Sequence, residues 1–174
     1  MKEYSIHPKA QQFYKEMHFN LFKYQGYICL VARMSGAGHF CGYVGVKKTN
    51  KLFGKSYSDY IEYEKKEDLE FNGNYLALMI NALKDSDRNE VSIDLLLNVH
   101  GGITYSKNKV LGIDENIFND LWWFGFDASH AGDVRPIENY IDRKYRISED
   151  EYRDLEYMEA QTKKLAEQLK NFEN

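Results

Sequence analysis

Two apolar stretches, Tyr27-Ile-Cys-Leu-Val-Ala-Arg33 and Phe40-Cys-Gly-Tyr-Val-Gly-Val46, decide how this chain folds. Both are rich in β-branched and aromatic residues, which favour β-strands. A shorter stretch of the same kind, Phe19-Asn-Leu-Phe22, precedes them, and short glycine-containing turns lie between the three. Successive strands with such short connections pair in antiparallel order. Residues 18–46 are therefore predicted to form an antiparallel meander.

Two segments are predicted to form helices that pack on this sheet. Residues 75–83 have the length and composition of a buried helix, with Asn74 as the N-cap. Near the end of the chain, Ser148 and Glu151 have the spacing of a capping box, which predicts a C-terminal helix over residues 148–172. Its apolar side chains recur every three or four residues and form one stripe: Leu155, Met158, Thr162, Leu165, Leu169 and Phe172. The stripe is not a sustained heptad, so we expect it to pack on the sheet, with pairing to a second copy as the alternative.

These elements predict an α+β fold, in which an antiparallel sheet of about five strands packs with the central helix and the long C-terminal helix. A chain of 174 residues is long enough for one domain with a proper core and short for two, so residues 1–174 are expected to form a single domain. Residues 1–17 are assigned to an N-terminal extension with one or two helical turns near Pro8. Residues 91–99 have no decisive periodicity and fit either a helix or a strand.

Composition and charge argue against several classes of protein. The formal net charge is −4, whereas a protein that binds duplex DNA generically needs a basic surface. Aromatic residues make up 15% of the chain, which fits either a β-rich core or a surface that stacks a base or a partner side chain. The two cysteines, Cys29 and Cys41, do not make a disulfide framework, and since residues 1–7 have no apolar h-region we expect no signal peptide. Since no run approaches the roughly 18 apolar residues of a membrane span, we expect a cytoplasmic protein with reduced thiols and no membrane partner.

Residues 98–133 hold the two blocks that are best suited to chemistry, Asn98-Val-His-Gly-Gly-Ile-Thr-Tyr-Ser106 and Trp122-Trp-Phe-Gly-Phe-Asp-Ala-Ser-His-Ala-Gly-Asp133. Each contains an apolar or aromatic run that stops abruptly at glycine, histidine or aspartate. An apolar strand is a rigid platform, and the loop that leaves it can hold polar groups at the rim. If the protein has a chemical site, we expect these site-bearing strands and loops to form it.

Four side chains in these blocks are candidates for metal binding or catalysis. Asp127, His130 and Asp133 follow one another at intervals of three residues, so they share one face in a helical turn and can converge in a loop. An imidazole flanked by two carboxylates suits a divalent metal such as Zn²⁺ or Mn²⁺. His100 completes the set if the strands of the two blocks are neighbours. Two alternatives stay open: these side chains hold a loop together by hydrogen bonds, or they form a recognition site without metal.

Six further residues are candidates for binding a ligand. The Gly101-Gly102 pair can aim two backbone N–H groups at a phosphate or carboxylate, although a tight bend is the favoured interpretation. Hydroxyl groups nearby can add hydrogen bonds, and the ring of the Trp122-Trp123 pair that faces outward can stack on a base. The candidate set is Gly101, Gly102, Thr104, Tyr105, Trp123 and Ser129.

Three blocks taken together resemble a family of small bacteriophage and prophage proteins of unassigned function. They are Gly38-His-Phe-Cys-Gly-Tyr-Val-Gly-Val46, His100-Gly-Gly-Ile-Thr-Tyr-Ser106 and Trp123-Phe-Gly-Phe-Asp-Ala-Ser-His-Ala-Gly-Asp133. The resemblance implies a phage accessory protein in the cytoplasm of a bacterial host, and it covers roughly residues 19–46 and 98–133. Many members of that family have a cysteine directly after the aspartate. Ala128 occupies the place here, which excludes a thiol nucleophile at that position.

Three functional hypotheses follow. The first, which the resemblance implies, is a phage accessory protein that counters host defence by binding a host protein or a nucleotide-like ligand. The second is a metal-dependent hydrolase of a phosphoester or nucleotide. Its catalytic and metal-binding residues would be His100, Asp127, His130 and Asp133. The third is a structural or assembly protein that forms a homodimer through its C-terminal helix.

Overall fold

The computed structural model of the protein describes residues 4–62, 90–110, 118–139 and 150–173. It confirms the predicted α+β class, while the predicted helix over residues 75–83 lies outside the described residues. None of the helices in the described ranges has the length and hydrophobicity needed to cross a membrane. The strands are β1 (Tyr4–Ile6), β2 (Phe19–Tyr24), β3 (Tyr27–Arg33), β4 (Phe40–Val46), β5 (Tyr60–Glu62), β6 (Glu90–Ser92), β7 (Tyr105–Lys107), β8 (Trp122–Asp127) and β9 (Ile137–Asn139). The helices are α1 (Ile93–Leu96) and α2 (Leu155–Leu169), with 3₁₀ turns at Pro8–Ala10 and Lys170–Phe172.

The main sheet has the strand order β2-β3-β4-β8-β7, and every neighbouring pair is antiparallel. The meander predicted for residues 18–46 is confirmed as β2, β3 and β4. Strand β8 lies beside β4, and β7 pairs with the other side of β8, so that Tyr43 and Tyr105 both lie opposite Gly125. Two smaller sheets pair β1 with β9 and β5 with β6. The two candidate blocks of the sequence therefore lie on neighbouring strands.

Helix α2 packs on one face of the sheet, across β3 and β4. The middle of its apolar stripe is buried, with Met158, Leu165 and Leu169 fully enclosed, and Leu155 and Phe172 at its ends are partly buried. Full burial of one such side chain contributes about 1.5–3 kcal/mol relative to exposure, so α2 is a main part of the core. The predicted packing of the stripe on the sheet is confirmed, and the stripe is not available for pairing with a second copy. The sheet residues in the same core cluster include Cys29, Val31, Val44, Phe124 and Phe126.

A second core covers the opposite face of the sheet, where Leu30, Cys41 and Trp123 are buried. Side chains alternate between the two faces along each strand. Cys29 in β3 faces the α2 side, and Cys41 in β4 faces the second core. Burial raises the pKa of both thiols to about 12. Both cysteines are therefore protonated at neutral pH and pack as small apolar side chains.

Helix α2 comes close to the sheet at Gly42 in β4. A Cβ atom at this position would overlap the Thr162 hydroxyl and the Phe126 ring. Thr162 is fully buried, and its hydroxyl donates a hydrogen bond to the Met158 carbonyl at 2.7 Å. A glycine within a strand indicates either a bulge or a close approach, and Gly42 marks a close approach.

The C-terminal helix begins later than predicted. It starts at Leu155, and Asp154 is its N-cap, accepting a hydrogen bond at 2.9 Å from a backbone N–H in the first turn. The predicted N-cap, Ser148, lies outside the described residues. Glu151 is not helical, because it forms a β-bridge with Asp133. The pairing of Glu151 with Asp133, which lies in a distant loop, therefore overrides the local capping signal.

The N-terminal segment pairs and packs with the rest of the described chain, whereas the sequence predicted an extension. Strand β1 pairs with β9, and the expected helical turn is confirmed as the 3₁₀ turn at Pro8–Ala10. Ala10 and Phe13 are buried and form a small cluster with Val134. The segment before β2 is thus part of the domain and packs against the loop that follows β8.

A buried ion pair joins the N-terminal segment to the sheet and to α2. Arg33 Nη2 lies 2.7 Å from Glu16 Oε2, and the two side chains are only 3% and 10% exposed. The Arg33 guanidinium also lies over the Phe13 and Phe40 rings, 4.4 and 3.9 Å from their centroids. The other Glu16 oxygen accepts a hydrogen bond at 2.9 Å from the Leu155 N–H at the start of α2. One carboxylate therefore holds three separate segments together.

Replacing Glu16 with glutamine should destabilise the fold, because it leaves the buried Arg33 charge without its partner. Breaking a buried pair typically costs about 3–5 kcal/mol, and we expect the free energy of unfolding in urea to fall by about 3 kcal/mol. The control is Lys163→Gln, which removes a more exposed pair with Glu159 at 3.9 Å. That change should cost less than about 1 kcal/mol. Equal losses in the two variants would show that the buried pair is not an anchor.

Candidate functional site

The two candidate blocks meet at one end of the main sheet. His100 Nε2 lies 2.7 Å from Asp133 Oδ2, and the ring centroids of His100 and His130 are 5.7 Å apart. His130 Nδ1 lies 3.6 Å from Asp133 Oδ2 and 3.9 Å from Asp127 Oδ1. The four candidate side chains therefore lie together, and we call them the histidine–aspartate cluster: His100, Asp127, His130 and Asp133.

The Asp133 carboxylate is the buried centre of this cluster, with its side chain only 1% exposed. It accepts hydrogen bonds from His100 Nε2 at 2.7 Å, from the His130 backbone N–H at 3.0 Å and from Arg153 Nε at 3.1 Å. Burial acts to raise the pKa of Asp133, but these hydrogen bonds outweigh burial and hold the pKa below its ordinary value. An ionised carboxylate can only accept, so Nε2 of His100 carries a proton in this arrangement.

The His130 ring packs directly against the backbone of Gly101. Gly101 has a φ of +66°, and a Cβ atom there would overlap the imidazole. Both the left-handed backbone and the missing side chain therefore require glycine. At Gly102 the N–H donates to the Val99 carbonyl at 3.1 Å, which agrees with the tight bend rather than with an anion-binding pair of N–H groups. Gly101 lets the His130 ring approach the backbone next to His100.

The Nδ1 atom of His130 is buried and has no hydrogen-bond partner among the described residues. Buried polar atoms rarely lack a partner. The nearest carboxylate oxygens, on Asp127 and Asp133, are 3.9 and 3.6 Å away, which is too far for a hydrogen bond. His130, His100 and Asp133 each offer one ligand atom, and these atoms lie within 4.8 Å of one another. The arrangement can hold a divalent cation, which would satisfy the unpartnered nitrogen.

Asp127 lies at the edge of the cluster, where strand β8 ends. Its Oδ2 accepts a hydrogen bond from the Thr104 hydroxyl and its Oδ1 accepts one from the Ser129 N–H, both at 3.1 Å. The Ser129 hydroxyl accepts a hydrogen bond from Arg135 Nε at 2.9 Å. These are the contacts expected if Asp127 holds the loop together, and they do not decide between that role and a chemical one. Thr104 and Ser129, two of the candidate ligand-binding residues, contribute to that network.

Helix α2 supplies contacts to the cluster that the sequence did not predict. Tyr157 Oη lies 3.0 Å from His100 Nδ1, and Gln161 Oε1 accepts a hydrogen bond from the His100 backbone N–H at 3.2 Å. Gln168 makes two hydrogen bonds with the Asn98 backbone, at 2.7 and 3.0 Å. These polar side chains follow one another at helical spacing beside the apolar stripe. The spacing shows that the three polar side chains share one side of the helix. The sequence near them does not show that this side contacts residues 98–100.

His39 is a further histidine near the cluster. It precedes β4, and its Nδ1 is buried without a hydrogen-bond partner among the residues that the structure describes. Burial lowers the pKa of His39, and the carboxylates of Asp127 and Asp133 oppose this shift only in part. The His39 imidazole is therefore neutral at neutral pH and can accept a hydrogen bond.

Two of the candidate ligand-binding residues point away from the cluster. Trp123 is 1% exposed and belongs to the second core, so the prediction that its ring meets a ligand is wrong. Tyr105 packs edge-on against Tyr43 in the same core, with ring centroids 5.3 Å apart. The other ring of the tryptophan pair, Trp122, is partly buried and donates to the Lys55 carbonyl at 2.9 Å. Strand alternation predicted opposite directions for the two rings, but it did not show that both faces of the sheet are covered.

Comparisons with protein-family models, with curated proteins and with solved structures each give no match for this chain. The resemblance to phage proteins therefore stays a prediction.

Substituting alanine for Gly101 should displace the His130 ring, while the same change at Gly102 should not. Gly102 also has a positive φ, +84°, but a Cβ atom there meets nothing within 4 Å. The control therefore measures backbone strain alone, about 1–2 kcal/mol. We expect Gly101→Ala to lose more stability than Gly102→Ala in urea denaturation and to shift the imidazole NMR signals of His130. Unchanged His130 signals in Gly101→Ala would contradict the packing described above.

Asp133 should contribute stability that acid removes. The pKa of Asp133 in the folded protein lies below its unfolded value of about 3.9. Its contribution to the free energy of unfolding is therefore complete above that value and is lost as the pH falls through the folded pKa. We expect Asp133→Asn to be less stable than the wild type at pH 7 and to show a shallower loss of stability below about pH 4. Urea midpoints measured across this range give the comparison. The exposed Asp120→Asn variant, as control, should follow the wild-type curve.

Proposed function

We propose that this protein is a metal-dependent hydrolase of a phosphoester or nucleotide, with the histidine–aspartate cluster as its centre. The observation that carries the proposal is the buried, unpartnered Nδ1 of His130, which faces Asp133 Oδ2 at 3.6 Å beside His100. A hydrogen-bonded loop accounts for most contacts of the cluster but gives this nitrogen no partner. A divalent cation would.

The donor set fits a zinc- or manganese-type ion. Two imidazole nitrogens and one carboxylate oxygen are ligands that both ions accept. In a tetrahedral zinc site the ligand atoms are about 3.4 Å apart. The 3.6 Å between His130 Nδ1 and Asp133 Oδ2 is close to that separation. The 2.7 Å between His100 Nε2 and Asp133 Oδ2 is a hydrogen-bond distance and would lengthen when the ion binds.

Three protein ligands, the number that the described residues bring together here, suit catalysis better than a purely structural role. Structural zinc sites are closed by four protein ligands, whereas catalytic sites keep a position for water or substrate. A divalent ion in such a site lowers the pKa of its bound water and polarises a phosphoryl oxygen. The Asp127 side chain is 28% exposed and that of His130 is 32% exposed, so the cluster is open to solvent on this side. We assign Asp127 the role of proton acceptor at that opening.

Elemental analysis of the protein purified without chelator tests the metal centre. We expect near-stoichiometric zinc or manganese in the wild type and its loss in His130→Ala, because that change removes one of three ligands. The matched control is His18→Ala, which removes an exposed histidine outside the cluster and should leave the metal content unchanged. Equal metal content in wild type and His130→Ala would place any bound metal elsewhere.

Hydrolysis is tested with the same three proteins on an activated phosphodiester and on a panel of nucleotides. Turnover should occur in the wild type and in His18→Ala, stop in a chelator, and return when the metal is added back. Metal binding without turnover on any of these substrates would contradict the hydrolase and leave a metal-dependent binding site.

Binding of a host protein, as the phage resemblance implies, is the second candidate. It is favoured by the exposed apolar side chains on and before the edge strand β2, among which Phe19 is 46% and Leu21 is 40% exposed. Exposed apolar patches and edge strands are common sites of protein association. This binding would survive removal of metal, which separates it from the hydrolase.

A further inference from the structure

Tyr157 is the one side chain outside the histidine–aspartate cluster that contacts the His100 ring through a hydrogen bond in the described part of the chain. Its Oη lies 3.0 Å from His100 Nδ1, while the opposite ring nitrogen, Nε2, lies 2.7 Å from Asp133 Oδ2. The two rings also meet edge to face, with centroids 5.5 Å apart. Both nitrogens of His100 are therefore engaged, one by a hydroxyl and one by a carboxylate.

These two partners determine where the imidazole proton lies. A neutral imidazole has one N–H and one acceptor nitrogen. The ionised carboxylate of Asp133 can only accept, so it selects the tautomer with the proton on Nε2. Nδ1 is then an acceptor, and the Tyr157 hydroxyl must be the donor. In the metal-free protein the proton order is thus Tyr157 to His100 to Asp133.

Metal binding at the cluster requires the opposite order. A ligand atom cannot carry a proton, so Nε2 must lose it when the ion takes that position. The neutral imidazole then carries its proton on Nδ1, which donates to the Tyr157 oxygen, its hydrogen-bond partner among the described residues. A metal-bound histidine usually fixes its tautomer and ring orientation by donating its other N–H in this way.

We infer that Tyr157 is the positioning residue for His100 and that its hydrogen bond reverses direction when the metal binds. The inference rests on the proposed metal centre. Nε2 gives its proton to solvent water and Nδ1 takes one from solvent water, so the charge of the imidazole does not change. Asp133 Oδ2 changes from acceptor of the Nε2 proton to metal ligand. The Tyr157 hydroxyl keeps its proton and rotates, so that its oxygen accepts the hydrogen bond from Nδ1–H instead of donating one to Nδ1.

A hydroxyl suits this reversal because it can donate or accept by rotating about one bond. A carboxylate or a backbone carbonyl at the same place could only accept, and would compete with Asp133 for the imidazole proton before the metal binds. Tyr157 is also held firmly. It lies in the first turn of α2, and its own backbone N–H donates to the Asp154 cap at 2.9 Å.

Tyr157→Phe removes the hydroxyl and keeps the ring. We expect zinc affinity, measured by competition with a chromogenic chelator, to weaken by about tenfold, the lower end for loss of such a partner. The control is Tyr24→Phe, which removes another hydroxyl that contacts α2, through Glu167 at 2.6 Å, far from the cluster. It should bind zinc like the wild type. Thermal unfolding of both variants checks that they fold.

NMR of ¹⁵N-histidine-labelled protein reports the tautomer directly. In the metal-free wild type, His100 should carry its proton on Nε2, and addition of zinc should move it to Nδ1. A proton on Nδ1 before zinc, an unchanged tautomer after zinc, or an unchanged affinity in Tyr157→Phe would each overturn the role of Tyr157 while leaving the metal centre intact. Absence of zinc binding to the wild type would overturn both proposals.

Discussion

The buried carboxylate of Asp133 is the interaction on which the site depends. A charge removed from water is unfavourable unless it is paired and hydrogen-bonded. Asp133 meets that requirement with donors from three separate parts of the chain: His100 before β7, the backbone of His130 in the loop after β8, and Arg153 just before α2. If one of these segments moved away, the buried charge would lose a donor. The same constraint holds the two imidazoles at a fixed separation and couples the end of the sheet to the helix.

Core packing and site geometry are therefore parts of one arrangement. The contact between Gly42 and Thr162 sets how closely α2 approaches β4, and the Glu16 carboxylate fixes where α2 begins. The helix placed in this way extends Tyr157 and Gln161 to the His100 residue. A shift of α2 along the sheet would change the orientation of the His100 ring as well as the packing of the core. Functional side chains that lie on rigid elements are held more precisely than those on free loops.

The parts of this arrangement that the sequence predicted are those that depend on local pattern. Strands β2, β3 and β4 pair with their chain neighbours across short turns, and the three candidate residues of the 127–133 loop lie close together in the chain. Whether His100 joins them depends on β7 pairing with β8, a long-range choice that short apolar runs do not determine. The contact of Tyr157 with His100 spans 57 residues and depends on the rotation of α2 about its axis. The burial of Trp123 differs from the prediction for a related reason: strand alternation gives the direction of a side chain but not what covers it.

A hydrogen-bonded loop and a metal centre would use the same atoms. The surroundings of His130 distinguish between these two interpretations. If its Nδ1 is protonated, the carboxylate oxygens at 3.6 and 3.9 Å are too distant to accept the proton well. If it is not protonated, its lone pair faces two negative groups, which is unfavourable. Neither state gives the buried nitrogen a hydrogen-bond partner among the described residues, and a cation bound to the deprotonated nitrogen would give it a partner. Gly101 has no side chain to contribute, yet its backbone is shaped to let the ring lie there. The ring position is built into the fold, which favours a ligand for His130 over a loop that leaves it unpartnered.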